Sequence, residues 1–134
     1  MPTVFVDTNI FLYCFDLSAP AKRDIALARI SALEESLVTS TQVLQEFYWN
    51  ATKKLGMTPA EARRAVEHLS KRKIVQVGAP LVLSAIDTSE RYRITFWDAL
   101  IVEAAALAKA DVLLSEDLNP GQVIRGMKVD NPFS

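Results

Sequence analysis

Short apolar runs of β-favouring residues alternate along the chain with longer stretches whose apolar positions recur every three or four residues. Thr3 to Val6 is the first such run. It predicts a strand stopped by Asp7-Thr8-Asn9, residue types suited to open a helix. The apolar segment Ile10 to Phe15 follows, and Pro20 then starts a helix on which Ala26, Ile30 and Leu33 form one inward stripe. Leu37 to Thr39 predicts a second strand. The helix from Thr41 gathers Val43, Leu44, Phe47, Tyr48, Ala51 and Leu55 on one side and stops at Gly56. Thr58-Pro59-Ala60-Glu61 joins a capping box to a proline at the first helical position, and Ala62, Ala65, Val66 and Leu69 supply the buried face behind it.

Ile74 to Val77 predicts a third strand, and Pro80 a helix carrying Val82, Ala85 and Ile86 inward. Trp97 to Ala108 is apolar almost all round, with Glu103 its only charge after Asp98, so a helix buried on most sides is expected. Val112 to Leu114 and Met127 to Val129 predict two more strands, separated by the turn Asn119-Pro120-Gly121. Strands alternating with helices predict an α/β fold around a mostly parallel central sheet of about five short strands. Ligand sites in such sheets lie beyond the carboxyl ends of the strands. That rule points to Asp7 and to Ser115-Glu116-Asp117, each placed directly after a strand.

At 134 residues, positions 1–134 are expected to form one domain. Fifteen basic and sixteen acidic residues leave a net charge of −1, which argues against a protein that coats nucleic acid by bulk positive charge. Cys14 is the only cysteine and His68 the only histidine, excluding an intrachain disulfide, a cysteine-cluster zinc site and any chemistry that needs two imidazoles. This fits a reducing, cytoplasmic setting. The longest uncharged run lies between Lys73 and Asp87 and is broken by Gly78 and Pro80, far from the roughly 20 apolar residues of a bilayer span. No association with a membrane is expected. The four glycines, at 56, 78, 121 and 126, form neither a dinucleotide-binding turn nor a phosphate loop.

Carboxylates remain, and four stand in unusual surroundings: Asp7, Glu46, Asp98 and Asp117. Each also has a purely structural explanation. Asp7 suits a helix cap, Asp98 has capping-box spacing from Thr95, and Asp117 leads into the Asn119-Pro120-Gly121 turn. Glu46 sits about 130° from the middle of its helix's apolar stripe, at ~100° per residue, and by default faces water. Yet Asp98 shares a helical face with Ile101, Val102 and Ala105, so capping alone buries a carboxylate among apolar groups. If the four acids converge at separations near ~5.5 Å, with an effective dielectric near ~20, the six pairs repel by roughly 18 kcal/mol in all. That exceeds the roughly 5–15 kcal/mol stability of a domain, so such a cluster needs a cation or bound protons. Oxygen donors without nitrogen or sulfur favour Mg²⁺ or Mn²⁺.

The same residues carry a family resemblance. Val4-Phe5-Val6-Asp7-Thr8-Asn9, Gln45-Glu46, Trp97-Asp98-Ala99-Leu100-Ile101 and Leu113-Leu114-Ser115-Glu116-Asp117 closely resemble, in order and spacing, the motifs of PIN-domain ribonucleases. Many PIN proteins of this size are VapC-type toxins of toxin–antitoxin modules. The resemblance implies a three-layer α/β/α fold and Mg²⁺- or Mn²⁺-dependent endonucleolytic hydrolysis of single-stranded RNA. It makes Asp7, Glu46, Asp98 and Asp117 the metal-holding, catalytic acids, with Asn9 and Ser115 supporting them. It further implies a homodimer blocked by a small antitoxin protein. Where many relatives carry Thr-x-Asp followed by another acid, this chain has Ser115-Glu116-Asp117-Leu118-Asn119, leaving Glu116 as helper or alternative to Asp117.

Two alternatives stand beside the toxin: a PIN nuclease that processes RNA without an antitoxin, and a non-catalytic metal-binding regulatory domain. A receiver-like version of the latter needs a lysine after a late strand, where this chain has Ser115 and Glu116.

Around the acids, residues 51–75 hold seven basic side chains (Lys53, Lys54, Arg63, Arg64, Lys71, Arg72 and Lys73) against Glu61 and Glu67. They form either a phosphate-steering patch or a solvated helix surface. Trp49 and Asn50, next to Glu46, suit contact with a base or, for Trp49, core packing or a partner. Phe11, Leu12, Tyr13 and Phe15 fill the core or form a face for self-association or antitoxin binding. His68 is expected on the surface.

Overall fold

The computed structural model describes residues 2–134. Its elements run in the order β1 (Val4–Val6), α1 (Thr8–Tyr13), α2 (Pro20–Leu33), β2 (Leu37–Ser40), α3 (Thr41–Lys54), α4 (Pro59–Leu69) and β3 (Lys73–Val75). There follow α5 (Ala79–Tyr92), α6 (Phe96–Leu107), β4 (Val112–Leu114), β5 (Val123–Ile124) and β6 (Met127–Asp130). Among the described residues no helix is long and apolar enough to cross a membrane.

The strands form one sheet in the order β3-β2-β1-β4-β6-β5, parallel throughout except for the β5–β6 pair. Helices cover both sides: α6 packs on α5 and touches β2, while α3 packs on α1 and α4 and touches the same strand. Burial on both faces explains why β1 and β4 are apolar without alternation. Phe5, Val6, Val38, Leu113 and Leu114 are all at most 1% exposed.

The sheet has six strands rather than five. Val123 and Ile124 are too few to show a period, and they join β6 through Arg125 and Gly126, at φ +50° and +79°. Two positive φ values in a two-residue connection define the tight hairpin turn whose twist suits the flanking strands.

The third strand also ends earlier than its apolar pattern. The Val77 N–H donates to Thr41 Oγ1 at 3.1 Å, which takes it out of the ladder. On α5 the inward residues are Leu81, Ala85 and Thr88, with Ile86 exposed; on α3, Tyr48 is exposed. The capping box at Thr58 and Glu61 forms with both of its hydrogen bonds. Beyond α3, Gly56 adopts φ +70°, and the Met57 N–H returns to the Ala51 carbonyl.

Chain reversals about β1 position the site. From β1 the chain moves outward to β2 and β3, then returns to place β4 on β1's other side. A crevice opens at the carboxyl end of a strand whose neighbours lead in opposite directions. The Asp7 N–H continues the β1–β4 ladder by donating to the Leu114 carbonyl at 3.0 Å, which sets Asp7 beside Ser115.

Candidate active site

Four carboxylates from four parts of the chain line one hollow of about 140 Å³: Asp7 after β1, Glu46 on α3, Asp98 in the first turn of α6 and Asp117 after β4. Thr8, Asn9, Gln42, Asn50, Trp97 and Ile101 complete the lining, none of them basic.

Asp7 is 4% exposed. Its Oδ1 accepts from the Thr8 N–H at 2.7 Å, so it is a helix cap as well as a site residue, and its Oδ2 accepts from Ser115 Oγ at 2.8 Å. Burial pushes its pKa from 3.8 up to about 7; the bonds from Ser115 and Thr8 oppose the rise, while the charges of Asp117 and Glu46 add to it.

Glu46 does not face water. Its Oε1 accepts from Thr8 Oγ1 at 2.6 Å and its Oε2 from Gln42 Nε2 at 3.3 Å. Gln42 also donates to the Trp97 carbonyl at 3.2 Å and so ties α3 to the start of α6. The helical wheel accounts for the core side of α3; the approach of α6 covers another side that no wheel shows.

Asp98 is half-buried, and Thr95 caps its helix by accepting from the Asp98 N–H at 3.1 Å. Burial raises the Asp98 pKa, the Thr95 hydroxyl opposes the rise and the Glu46 charge adds to it. Asp117 accepts from Asn9 Nδ2 at 3.2 Å on each oxygen. Its pKa is raised mainly by burial and further by the charges of Asp98, Glu116 and Glu46, while Asn9 counteracts them.

Glu116 lies outside the hollow. It accepts from Tyr13 Oη at 2.9 Å and pairs with Lys22 at 2.8 Å.

The mutual charge effects show the four acids acting on one another. They surround the hollow without forming a closed cage: among the described residues no three side chains of His, Cys, Asp or Glu stand as a ready metal group. Hydrogen bonds to Thr8, Gln42, Asn9 and Ser115 hold the carboxylates apart. An oxygen-only donor set of unbalanced negative charge fits a hard divalent cation that retains part of its water shell. Among the described residues no serine, cysteine, lysine or histidine lines the hollow, and the one hydroxyl there, that of Thr8, is bonded to Glu46. Burial pushes the Cys14 thiol up to about 11, and His68 is exposed on α4.

Thr8, Gln42 and Trp97 escaped the sequence reading. Position alone offered a signal: Gln42 stands one helical turn before Glu46, and the other two adjoin Asp7 and Asp98.

Of the basic residues, Lys54 lines a pocket next to the hollow and Lys53 lies over the exposed ring of Trp49. Arg63 is paired with Glu67, and Arg72 donates to the Glu34 carbonyl. Phe11 is in the core, Leu12 and Tyr13 are half-buried, and Phe15 is exposed, its ring edge-on to Phe47.

The family model described as PIN domain matches residues 4–123. None of the curated proteins matches the chain. Among solved structures, a toxin–antitoxin complex from Klebsiella pneumoniae is 21% identical with a TM-score of 0.75, over 97% of this chain and 98% of that one. VapC20 of Mycobacterium tuberculosis, described as a sarcin–ricin loop cleaving toxin, is 19% identical with a TM-score of 0.71, over 86% and 92%. DNA-bound VapBC from Salmonella typhimurium is 18% identical with a TM-score of 0.71, over 98% and 99%. At such identities the likeness is one of fold.

Proposed function

The chain belongs to the PIN domain family, and on that premise we propose that it is a Mg²⁺- or Mn²⁺-dependent endoribonuclease. It hydrolyses phosphodiester bonds of single-stranded RNA and serves as the toxin of a toxin–antitoxin pair. One observation carries the nuclease reading: four carboxylates line a single small hollow in which no lining residue is basic.

Asp7 and Asp98 are the principal ligands in this reading, with Glu46 and Asp117 completing the set or holding water in it. A divalent ion bound there supplies positive charge for the scissile phosphate and a water of lowered pKa. Ser115 and Thr8 hold the Asp7 carboxylate, while Thr8 and Gln42 hold that of Glu46, so neither acid must reorganise when RNA arrives. Asp117, half-buried and with raised proton affinity, is suited to take a proton from attacking water where it is not itself a ligand. Because water is the nucleophile, the RNA 2′-hydroxyl need not attack and no imidazole is required.

The toxin role draws support from fold neighbours described as toxins and toxin–antitoxin complexes. It also draws on a groove of about 560 Å³ where exposed Phe15, Leu17 and Leu27 lie with Leu55 and Met57 beside Arg23, Asp24 and Glu61, a mixed surface suited to a protein partner such as an antitoxin or a second copy.

Incubating the purified chain with mixed RNAs and Mn²⁺, beside EDTA and Asp7→Asn controls, tests the nuclease. Cleavage is expected with Mn²⁺ alone. Cutting in EDTA, or equal cutting by Asp7→Asn, would sink the mechanism.

A further inference from the structure

Three contiguous cavities meet at Asn50. The acid hollow shares Asn9 and Asn50 with a pocket of about 310 Å³ that also contains Tyr13 and Lys54. It shares Glu46, Asn50 and Trp97 with an open groove of about 610 Å³. The hollow therefore adjoins both, and Asn50 lines all three.

The groove has an unusual composition. Its lining is Gln45, Glu46, Trp49, Asn50 and Trp97, two large aromatic rings among two amides and one of the site carboxylates, with no aliphatic residue. Both rings are displayed, Trp49 at 61% and Trp97 at 62% exposure. Neither is loosely held: Phe96 stands edge-on to Trp97 at 5.1 Å between centroids, and Lys53 Nζ lies 4.9 Å from the centre of the Trp49 ring. More than half exposed, these rings leave apolar area in water that a ligand with flat faces would cover.

We propose that the groove is a base-stacking subsite. Unpaired bases of a single strand on one side of the phosphate at the acids lie against Trp49 and Trp97. The strand then passes Asn50 into the Tyr13–Lys54 pocket, where Lys54 meets the next phosphate.

This rests on the nuclease reading only in taking RNA as the strand and the acids as the point of cleavage. Flat rings beside amide groups match the face and the hydrogen-bonding edge of a base, and stacking tolerates any sequence because every base has a π face. Lys53 supplies a cation beside the stacked base. A protein partner is better matched by the groove around Leu17 and Leu27, where apolar side chains stand beside Arg23, Asp24 and Glu61. A duplex, whose bases are already stacked on one another, offers the rings nothing.

Trp49 and Trp97 are the only tryptophans in the chain, so tryptophan emission reports on this groove alone. Single-stranded hexaadenylate is titrated into the Asp7→Asn chain with Mg²⁺ and into the wild-type chain with EDTA, emission and anisotropy of a labelled oligomer being followed together. Binding is expected to quench emission strongly. Trp49→Phe and Trp97→Phe each keep the affinity and the quench of the remaining ring, whereas Trp49→Ala and Trp97→Ala each lose about tenfold in affinity. A duplex of equal length leaves emission unchanged.

Binding with silent tryptophans, or with unaltered affinity in both alanine variants, overturns the subsite. So does emission that changes with protein concentration before RNA is added, because a second copy then covers the groove. A chain that cleaves no RNA yet is quenched by the oligomer loses the nuclease reading and keeps the subsite; one that cleaves with silent tryptophans does the reverse. Failure to bind any strand removes both.

Discussion

Ser115 Oγ donates to Asp7 Oδ2 at 2.8 Å across 108 positions of sequence, and the same oxygen accepts from the Asp117 N–H at 3.1 Å. One hydroxyl thus fixes the spacing of two acids that arrive on different strands. Its bond to Asp7 favours the charged carboxylate and holds down a pKa that burial raises. Ser115→Ala is therefore expected to push the Asp7 pKa above about 7. Carboxyl ¹³C NMR titration of Asp7 in metal-free protein measures it; an unchanged or lower midpoint would show that the hydroxyl does not tune the acid.

Asp7 also links stability to pH. In metal-free protein it keeps its proton up to about pH 7, whereas its ordinary value is 3.8. Between those values the native chain binds more protons than the unfolded chain. The stability contributed by the neutral, buried carboxyl is thus complete below about pH 4 and is lost as pH rises through about 7. Asp7→Asn cannot ionise. In EDTA near pH 8 it is expected to be more stable than wild type by on the order of 2–4 kcal/mol, the difference closing near pH 4. Denaturant unfolding at the two pH values decides the matter, and a pH-independent difference contradicts it.

Away from the hollow, Glu103 is 6% exposed within α6 and accepts from Thr88 Oγ1 at 2.9 Å and Arg125 Nε at 3.0 Å. Arg125 itself is half-exposed, and Thr88 remains a donor if it is removed. Arg125→Ala is expected to lower stability by about 1–3 kcal/mol with unchanged RNA cleavage at 25 °C. A thermal melt beside the cleavage assay separates the two effects, since an unaltered melting temperature shows that Thr88 alone satisfies the buried acid.

Local chemistry made much of the fold legible. The Thr58–Glu61 box, the proline starts and the fully apolar β1 and β4 need only neighbours in sequence to be recognised. Val123–Ile124 was missed because its pairing depends on two left-handed residues, Arg125 and Gly126, rather than on a periodic pattern. In the candidate site, Asp7 and Asp117 were indicated by the rule for strand ends, and Asp98 by its apolar company. Glu46 was the difficult one. Its helix alone turns it to water, and it faces the hollow only because α6 and Thr8 come from elsewhere to meet it. Gln42 and Thr8 stayed hidden for the same reason: their roles lie in bonds between elements, which no single stretch of sequence contains.

The placement of β1 between β2 and β4 has a consequence for biosynthesis. Asp98, Ser115 and Asp117 are translated about a hundred codons after Asp7, and β1 gains its second neighbour only with them. Parallel pairings between such distant segments form slowly, after the intervening chain is available. A nascent chain on the ribosome consequently carries helices and half a sheet but no assembled acid hollow. If this molecule cuts RNA, its architecture delays that ability until the segment carrying β4 and Asp117 has left the ribosome.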